Sequence, residues 1–472
     1  MKVSLLMCAA LLAAPLAFAA PVHRAAAPGA APAPATAAAP AGARLRVLSN
    51  GLHVVIAPDT TAATVDVSLW FAAGSRDERA GKTGLAQLVN GLMFAGSRHY
   101  PPGEHQRLIA REGGSANLFS LSDFASLGET VPPASLGLAL ELEADRMASA
   151  TFSASALEAA RGTIERSRRD PAAHTAVALG TRRLYEVAFA GHPYRSPAGG
   201  TTADLAKLTL EDARAWWRDR YGPDGTWLVL CGRLDPDSAE ALVRRTMGAV
   251  AKRGGPRPPV PAPAAQTEPR RGNGRLEGAG RVVIIGWRTG AARSSDAAAM
   301  SVLDAMLTHR RPSRLESALL ADTSRFLAVQ SGFDQRRDAG LLFVAALISP
   351  LADSADVERR IISAVESAGA PAPSSDDFES ALRQVQVETL FSWQTPAGMG
   401  AAIGRSAMLT GGADPAAALA SVKLMTPETL GQAAARQLIA AHRTVVWMSS
   451  GPALAPSTEA PAAAGGERKG GR

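Results

Sequence analysis

Residues 65–97 read VDVSLWFAAGSRDERAGKTGLAQLVNGLMFAGS, which is the pattern of a strand, a turn and a helix. Apolar residues occupy every second position from Val65 to Phe71, and this alternation predicts a half-buried strand. The polar turn leads into a helical pattern that begins near Gly84. The same order recurs further along the chain, where RVVIIGWRTG predicts a strand and SSDAAAMSVLDAML a helix. The chain therefore contains two parts of similar plan.

Each part also ends in a β-rich run, TWLVLCGRL at 226–234 and RTVVWMSS at 443–450. Strands and long helices are mixed within each part, which is typical of the α+β class. We therefore expect a duplicated α+β domain, in which each half has one sheet with helices packed on a face.

The N-terminus has the features of a cleaved secretion signal. Lys2 precedes an apolar run, and Ala17, Phe18 and Ala19 form an A-x-A cleavage site. The run is too short for a membrane span, so we expect an exported, periplasmic protein, with secretion as the alternative. Cleavage leaves Cys231 as the single cysteine, which excludes an internal disulfide.

Composition divides the rest of the chain. Runs rich in alanine and proline predict disordered ends, and a proline-rich segment predicts a linker between the halves. The predicted segments are a signal peptide (1–19), a tether (20–42), a first domain (43–251), a linker (252–275), a second domain (276–450) and a tail (451–472). The net charge is +7, but basic and acidic residues are interspersed along the chain, and aromatic residues make up only 5% of it. Both features argue against nucleic-acid binding.

Five segments occur in an order that is specific to one family. They read FAAGSRDERAGKTGLAQLVNGLMFAGS, GGSANLFSLSDF, LELEADRM, GHPYRSPAGGTTADLAKLTLEDARAWWRDRYGPD and SRLESALL. Together they resemble the insulinase/pitrilysin-type zinc metallopeptidases, which include the mitochondrial processing peptidase, over roughly residues 43–450. The resemblance implies two homologous halves, each a mostly antiparallel sheet with helices on one face. In that family two such halves face each other around a chamber, and further copies of the half come from a second chain or from the same chain.

Active members of that family carry the helical motif H-x-x-E-H, whose histidines bind zinc and whose glutamate serves as the base. The resemblance places these positions at Gln87, Asn90 and Gly91, and the further glutamate ligand at Ser167. A carboxamide is a poor zinc ligand and cannot act as a base near neutral pH. The resemblance therefore implies a degenerate site without a catalytic residue, without a metal ligand and without a cofactor.

A test without any alignment gives the same result. The histidines are His23, His53, His99, His105, His174, His192, His309 and His442. No two of them are four residues apart, so neither H-x-x-E-H nor H-E-x-x-H occurs in the chain. Glu165 lies two residues before Ser167, and one carboxylate alone would not hold zinc.

In two-chain members of the family, the chain without zinc can supply an Arg/Tyr pair from its second half. The resemblance places this pair at Leu320 and Leu327. The four tyrosines are Tyr100, Tyr185, Tyr194 and Tyr221, and all of them precede the predicted linker. The loss weakens the case that this chain completes a partner's active site, but it leaves assembly with a partner open.

One functional feature of the family can survive this loss. The segment GGSANLFSLSDF corresponds to an edge strand that pairs with an extended peptide, which implies a role in substrate binding for Asn117, Leu118, Phe119 and Ser120. An ordinary strand whose Asn117 caps a turn is the alternative.

The remaining candidate residues favour structural roles. Cys231 lies in an apolar strand, which is typical of a buried structural cysteine. We expect His192 and Tyr221 to order loops, and Asp145 and Arg146 to form structural ion pairs.

Three functional hypotheses remain. The first is an inactive subunit that pairs with a zinc-bearing homologous chain and has no zinc of its own. The second is a stand-alone peptide-binding or scaffold protein, and the third is a metallopeptidase with an unrecognised site.

Overall fold

The computed structural model describes residues 42–253, 259–277, 280–308, 313–369 and 375–450. The predicted signal peptide, all but the last residue of the predicted tether, and the predicted tail lie outside these ranges. Among the described residues, no helix combines the length and the apolar character that crossing a membrane requires.

The first half of the described chain alternates strands with helices. Its strands are β1 (Arg44–Val47), β2 (His53–Pro58), β3 (Val65–Phe71), β4 (Ser115–Ser120), β5 (Ala125–Val131) and β6 (Trp227–Gly232). Its helices are α1 (Leu85–Leu92), α2 (Glu104–Arg111), α3 (Leu136–Ser149), α4 (Ala154–Arg169), α5 (Ala176–Ala188), α6 (Thr202–Leu205), α7 (Leu210–Arg220) and α8 (Pro236–Thr246).

The second half repeats this alternation. Its strands are β7 (Arg270–Arg275), β8 (Arg281–Thr289), β9 (Phe326–Asp334), β10 (Gly340–Ile348) and β11 (Arg443–Ser449). Its helices are α9 (Ala297–Thr308), α10 (Ser354–Gly369), α11 (Ser375–Ser392), α12 (Pro396–Thr410), α13 (Ala416–Lys423) and α14 (Pro427–Gln437), and a π-helical turn spans Glu316–Leu320.

The two sheets have corresponding strand orders. The first is β1-β2-β6-β3-β5-β4 and the second is β7-β11-β8-β10-β9. One pair in each sheet is parallel, β2 with β6 and β7 with β11, and every other pair is antiparallel. The prediction of two similar α+β halves with mostly antiparallel sheets is therefore confirmed.

Each sheet also carries a helix from the opposite half on its other face. Helix α12 packs on β3 and β6 of the first sheet, and α5 packs on β7, β8 and β11 of the second. The prediction of a half-buried β3 is therefore wrong, because α12 covers Asp66, Ser68 and Trp70. Helix α12 packs closely on β3. A Cβ on Gly400 would lie 2.2 Å from the Asp66 carboxylate, and one on Gly404 would lie 2.0 Å from the Trp70 ring.

The predicted linker is shorter than the sequence indicates. Arg270–Arg275 forms strand β7, which pairs in parallel with β11 at one edge of the second sheet. The polar sequence RRGNGR suits this position, because an edge strand keeps part of its surface exposed. Residues 254–258 of the predicted linker lie outside the described ranges.

Candidate functional site

Helix α1 is fixed at its N-terminus by the segment that precedes it. Gly84 caps the helix with a φ of +93°, a left-handed conformation that favours glycine. The Glu78 carboxylate accepts hydrogen bonds from the backbone N–H groups of Gly84 at 3.0 Å and Ala86 at 2.8 Å. Burial raises the pKa of Glu78 to about 8, and the two N–H donors act in the opposite direction. These contacts position the α1 side chains that follow.

Asn90, which the resemblance places at the position of the family's catalytic base, is fully buried. Its Oδ1 accepts a hydrogen bond from the Tyr221 hydroxyl at 3.3 Å, while its Nδ2 has no hydrogen-bond partner among the described residues. Burial also raises the pKa of Tyr221 well above its usual range, so this phenol is not a base near neutral pH. The pair is an amide and a neutral phenol, which cannot activate water.

The other three positions, which the resemblance assigns to the family's metal ligands, hold glutamine, glycine and serine. Gln87 is half-buried, and its Oε1 lies 2.8 Å from the position of a Cβ built on Gly199. Gly91 faces helix α4, where an added Cβ would lie 3.7 Å from the Cβ of Ala160. Ser167, on α4 itself, is exposed. These positions thus present an amide, a hydroxyl and bare backbone.

Glu165, the carboxylate nearest in sequence to Ser167, is engaged elsewhere. It accepts a hydrogen bond from Arg168 at 3.2 Å, and both side chains are about one quarter exposed. Arg168 also donates to the carbonyl oxygens of Gly199 at 2.6 Å and Gly200 at 2.7 Å. Arg168 thus links α4 to the loop beside α1, which is a structural role.

One group of potential metal ligands was missed in the sequence. His105 on α2, Glu129 on β5 and Glu143 on α3 are buried, with ligand atoms within 4.8 Å of one another. His105 Nε2 lies 2.7 Å from Glu129. The Arg146 guanidinium donates to both glutamates, which confirms the predicted structural ion pairing of Arg146. Only the spacing of Glu143 and Arg146 on one helix was visible in the sequence, because the other two residues lie on separate elements.

This group is better suited to an ion network than to a metal. Burial and the nearby Arg146 lower the pKa of His105 to about 4, so the imidazole is neutral. Burial raises the pKa of Glu143 to about 8, and the nearby Glu129 adds to this increase. A divalent cation would have to remove that proton and lie beside the guanidinium. The four side chains neutralise one another without it.

Strand β4, the predicted peptide-binding strand, lies at the edge of the first sheet. Asn117 and Leu118 are exposed, and they pair with Gly128 and Leu127 of β5. Phe119 is turned toward the α12 side and packs edge-on against Trp70, with ring centroids 5.4 Å apart. Asn117 lies within the strand and pairs in the ladder, so it does not cap a turn.

The positions that the resemblance assigns to the Arg/Tyr pair lie at the edge of the second sheet. Leu320 ends the π-helical turn and is half-buried, and Leu327 lies on edge strand β9 with its side chain exposed. Strand β9 corresponds to β4 in the strand order. Both predicted substrate-contacting regions are thus on equivalent edges, and leucines occupy the second one.

The remaining candidates are structural, as the sequence predicts. Cys231 is buried, and burial raises the pKa of its thiol. His192 orders a turn by accepting a hydrogen bond from the backbone N–H of Tyr194 at 3.2 Å. Asp145 lies 2.7 Å from the imidazole of His99.

Two family models match the chain in succession. The model described as "Insulinase (Peptidase family M16)" matches residues 53–202, and the model described as "Peptidase M16 inactive domain" matches residues 207–385. Together they cover well over half of the chain.

Relatives and solved structures agree with these matches. The chain is 27% identical over 320 residues to an "Uncharacterized zinc protease" of Mycobacterium tuberculosis, covering 65% of this chain and 70% of the relative. It is 23% identical over 327 residues to "Zinc protease PqqE" of Helicobacter pylori, covering 68% and 73%.

The fold is similar to that of a protease from Helicobacter pylori, with a TM-score of 0.79, 19% identity and coverage of 86% of this chain and 99% of that one. It is also similar to a peptidase M16 inactive domain from Pseudomonas fluorescens, with a TM-score of 0.77, 18% identity and coverage of 88% and 99%. The chain therefore belongs to the insulinase family of peptidases, peptidase family M16.

Proposed function

We propose that this chain is a catalytically inactive, exported subunit that pairs with an active zinc metallopeptidase of its own family to form a peptide-degrading or processing chamber. The observation that carries the proposal is that α1 and α4 hold Gln87, Asn90, Gly91 and Ser167 where the resemblance places the zinc ligands and the base. These groups neither bind zinc tightly nor take a proton from water near neutral pH. Zinc is proposed only for the partner chain.

The proposed contribution of this chain is enclosure of the substrate. Leu320 and Leu327 stand where the resemblance places the family's Arg/Tyr pair, so the partner would carry all of the chemistry. Relatives named as zinc proteases support a proteolytic context for the pair.

A surface stripe supports assembly with a second chain. Val387, Leu390 and Phe391 are exposed apolar residues on α11, and their spacing of three and four residues places them along one side of the helix. A partner that covered this stripe would remove it from water.

Metal analysis and co-expression test the proposal. We expect the purified mature chain to contain much less than one zinc per chain and to cleave no unstructured peptide. Co-expressed with an exported zinc-bearing homologue, it should elute as a 1:1 complex that is more active than the homologue alone. The matched control is the same complex with the homologue's H-x-x-E-H glutamate replaced by glutamine, which should be inactive.

Two outcomes would reject the subunit proposal. About one tightly held zinc in the isolated chain, together with peptide cleavage, would favour a metallopeptidase with an unrecognised site. Separate elution of the two chains, with a fully active homologue alone, would favour a stand-alone protein.

A stand-alone periplasmic peptide-binding or scaffold protein is the second candidate function. The exposed edge strand β4 favours it, because main-chain pairing with an extended peptide does not require catalytic side chains. Calorimetry with the isolated chain tests this function: Asn117→Ala should weaken binding of an extended peptide, whereas the exposed Arg98→Ala should not.

A further inference from the structure

A cavity of about 290 Å³ lies where the two halves meet. The loop after β4, helix α5, the loop after β9 and helix α12 line it. Its charged lining residues are Asp123, Asp334, Arg182, Arg195, Arg336 and Arg405. Four arginines face two aspartates, so the lining has an excess of positive charge.

Arg336 is held rigidly in this lining. Its Nε donates to Asp334 at 2.7 Å, and its guanidinium lies 4.1 Å from the ring centroid of Tyr185 and 4.9 Å from that of Tyr194. Its Nη1 is buried and has no hydrogen-bond partner among the described residues. An arginine fixed on three sides thus keeps one donor group unused.

Two neighbouring side chains add further unused donors. Gln335 is 4% exposed, and its Nε2 has no hydrogen-bond partner in the described part of the chain. Arg405, half-buried on α12, donates no hydrogen bond to another described residue and is attracted to Asp334 and Asp123 only at longer range. A buried donor without an acceptor costs about 1–3 kcal/mol. Arg336 Nη1 and Gln335 Nε2 are two such donors, and Arg405 adds a half-buried cation beside them, so the cavity favours an incoming acceptor.

The two aspartates of the lining are already engaged. Asp123 accepts hydrogen bonds from the Tyr194 hydroxyl at 2.5 Å and from the backbone N–H of Arg337 at 3.1 Å. Asp334 accepts from Tyr185 and Arg336. The lining aspartates therefore leave the Arg336 and Gln335 donors unpaired in the described part of the chain, and an anion from outside would supply an acceptor.

We infer that this cavity is a subsite for the carboxylate of a peptide, either a C-terminal carboxylate or an acidic side chain. The inference rests on the proposed peptide binding along β4. The cavity lining begins at Leu121, the residue directly after β4, so a peptide extended along that strand would reach it. A singly charged carboxylate suits the lining better than a phosphate dianion, because Asp123 and Asp334 would repel the second charge.

Calorimetry with three acetylated peptides tests the subsite. The peptides are Ala-Val-Thr-Val-Ala with a free C-terminus, the same peptide with a C-terminal amide, and Ala-Val-Thr-Val-Glu with a C-terminal amide. We expect the first, the third or both to bind the full chain at least about tenfold more tightly than the second. Preference for the first alone would identify the C-terminal carboxylate, and preference for the third alone the acidic side chain.

Arg405→Met should abolish this preference, and the exposed lining residue Arg182→Met is a second variant that should reduce it. The matched control is Arg383→Met, an exposed arginine on α11 outside the cavity, which should leave the preference unchanged. Equal binding of all three peptides to the wild type would overturn the subsite. So would a preference that persists in Arg405→Met.

A peptide-free measurement separates this inference from the proposed function. Sodium propionate should raise the melting temperature of the wild type and of Arg383→Met, but not that of Arg405→Met. If propionate behaves in this way and no peptide binds, the carboxylate subsite stands and peptide binding along β4 fails. If neither propionate nor any peptide binds, the subsite itself is overturned.

Discussion

Helices α1 and α9 occupy equivalent places, since each follows a central strand, β3 or β8, and packs against its own sheet. Nearly all side chains of α9 are buried and most are apolar, as in a helix that only packs. Helix α1 instead has a half-buried amide at Gln87, a buried amide at Asn90 and a glycine at 91. The difference indicates that packing alone does not account for the α1 sequence, which agrees with a site that has lost its ligands.

The strand faces that lie under α12 in the first sheet and under α5 in the second sheet also differ in polarity. On β3, Asp66, Ser68 and Trp70 lie beneath α12 and are linked by hydrogen bonds of 2.9 and 3.1 Å. On β8, Val282 and Ile284 lie in an apolar cluster with residues of α5. The first half therefore buries polar groups where the second half buries methyl groups.

The largest expected effect comes from the buried ion network of the first half. Arg146→Met should lower the free energy of unfolding by about 4 kcal/mol, because it leaves the buried Glu129 and Glu143 without their guanidinium donor. The matched variant is Arg271→Met in the second half, which removes a partner of the buried Glu358 but is itself 30% exposed and leaves the Trp447 Nε1 donor in place, so it should cost less, about 2 kcal/mol. Urea denaturation at pH 7 measures both, and equal losses would contradict the proposed asymmetry.

The next largest effect on stability is expected from glycines in α12 and α5, the two helices that pack on the sheet of the opposite half. A Cβ on Gly404 would lie 2.0 Å from the rigid ring of Trp70, so Gly404→Ala should cost about 3 kcal/mol. A Cβ on Gly180 would lie 2.5 Å from Cδ1 of Ile284, the flexible end of a side chain that can rotate away. Gly180→Ala should therefore remain within about 1 kcal/mol of wild type, since better helix propensity offsets the contact. Thermal unfolding of both variants shows how tightly α12 and α5 pack on the two sheets.

The fold was open to prediction where its signals are local. Alternation in β3 and the helical period after Gly84 are properties of short segments, and the structure has both elements. The cover of β3 was not predictable in this way, because α12 lies in the other half of the chain. The glycines at 400 and 404 would have been the signal, but their meaning depends on a contact with Asp66 and Trp70 that no local pattern reveals.

The candidate site divides in a similar way. The missing histidine pair was readable from positions alone, and the structure adds that Asn90 is buried against Tyr221. The cavity at the junction of the halves was not predictable, because Arg336 from the loop after β9 and Arg405 from α12 are brought together only by folding. Unused hydrogen-bond donors are likewise a property of the folded chain.

The polar face of β3 gives a smaller, pH-dependent effect. Burial raises the pKa of Asp66 from 3.8 to about 7, so its contribution to stability is complete below pH 3.8 and is lost as the pH rises to 7. Between pH 5 and 8 the wild type should lose about 2 kcal/mol more than Asp66→Asn, which has no such ionisation. Asp322→Asn is the control, because hydrogen bonds lower the pKa of Asp322 and it stays ionised over this range. Urea denaturation at each pH measures the free energy of unfolding. Equal changes in this free energy between pH 5 and 8 for the wild type and Asp66→Asn would contradict the prediction.

The smallest expected effect tests whether α1 needs its glycine. A Cβ at position 91 would lie 3.7 Å from the Cβ of Ala160, which is an ordinary contact, and no other atom outside the local helix backbone lies within 4 Å. Gly91→Ala should therefore stabilise the protein by up to about 1 kcal/mol through helix propensity, opposite in sign to Gly404→Ala. Chemical denaturation measures the sign. A clear destabilisation would show that the gap beside Ala160 is a packing requirement, and α1 would then resemble α9 more than its polar residues indicate.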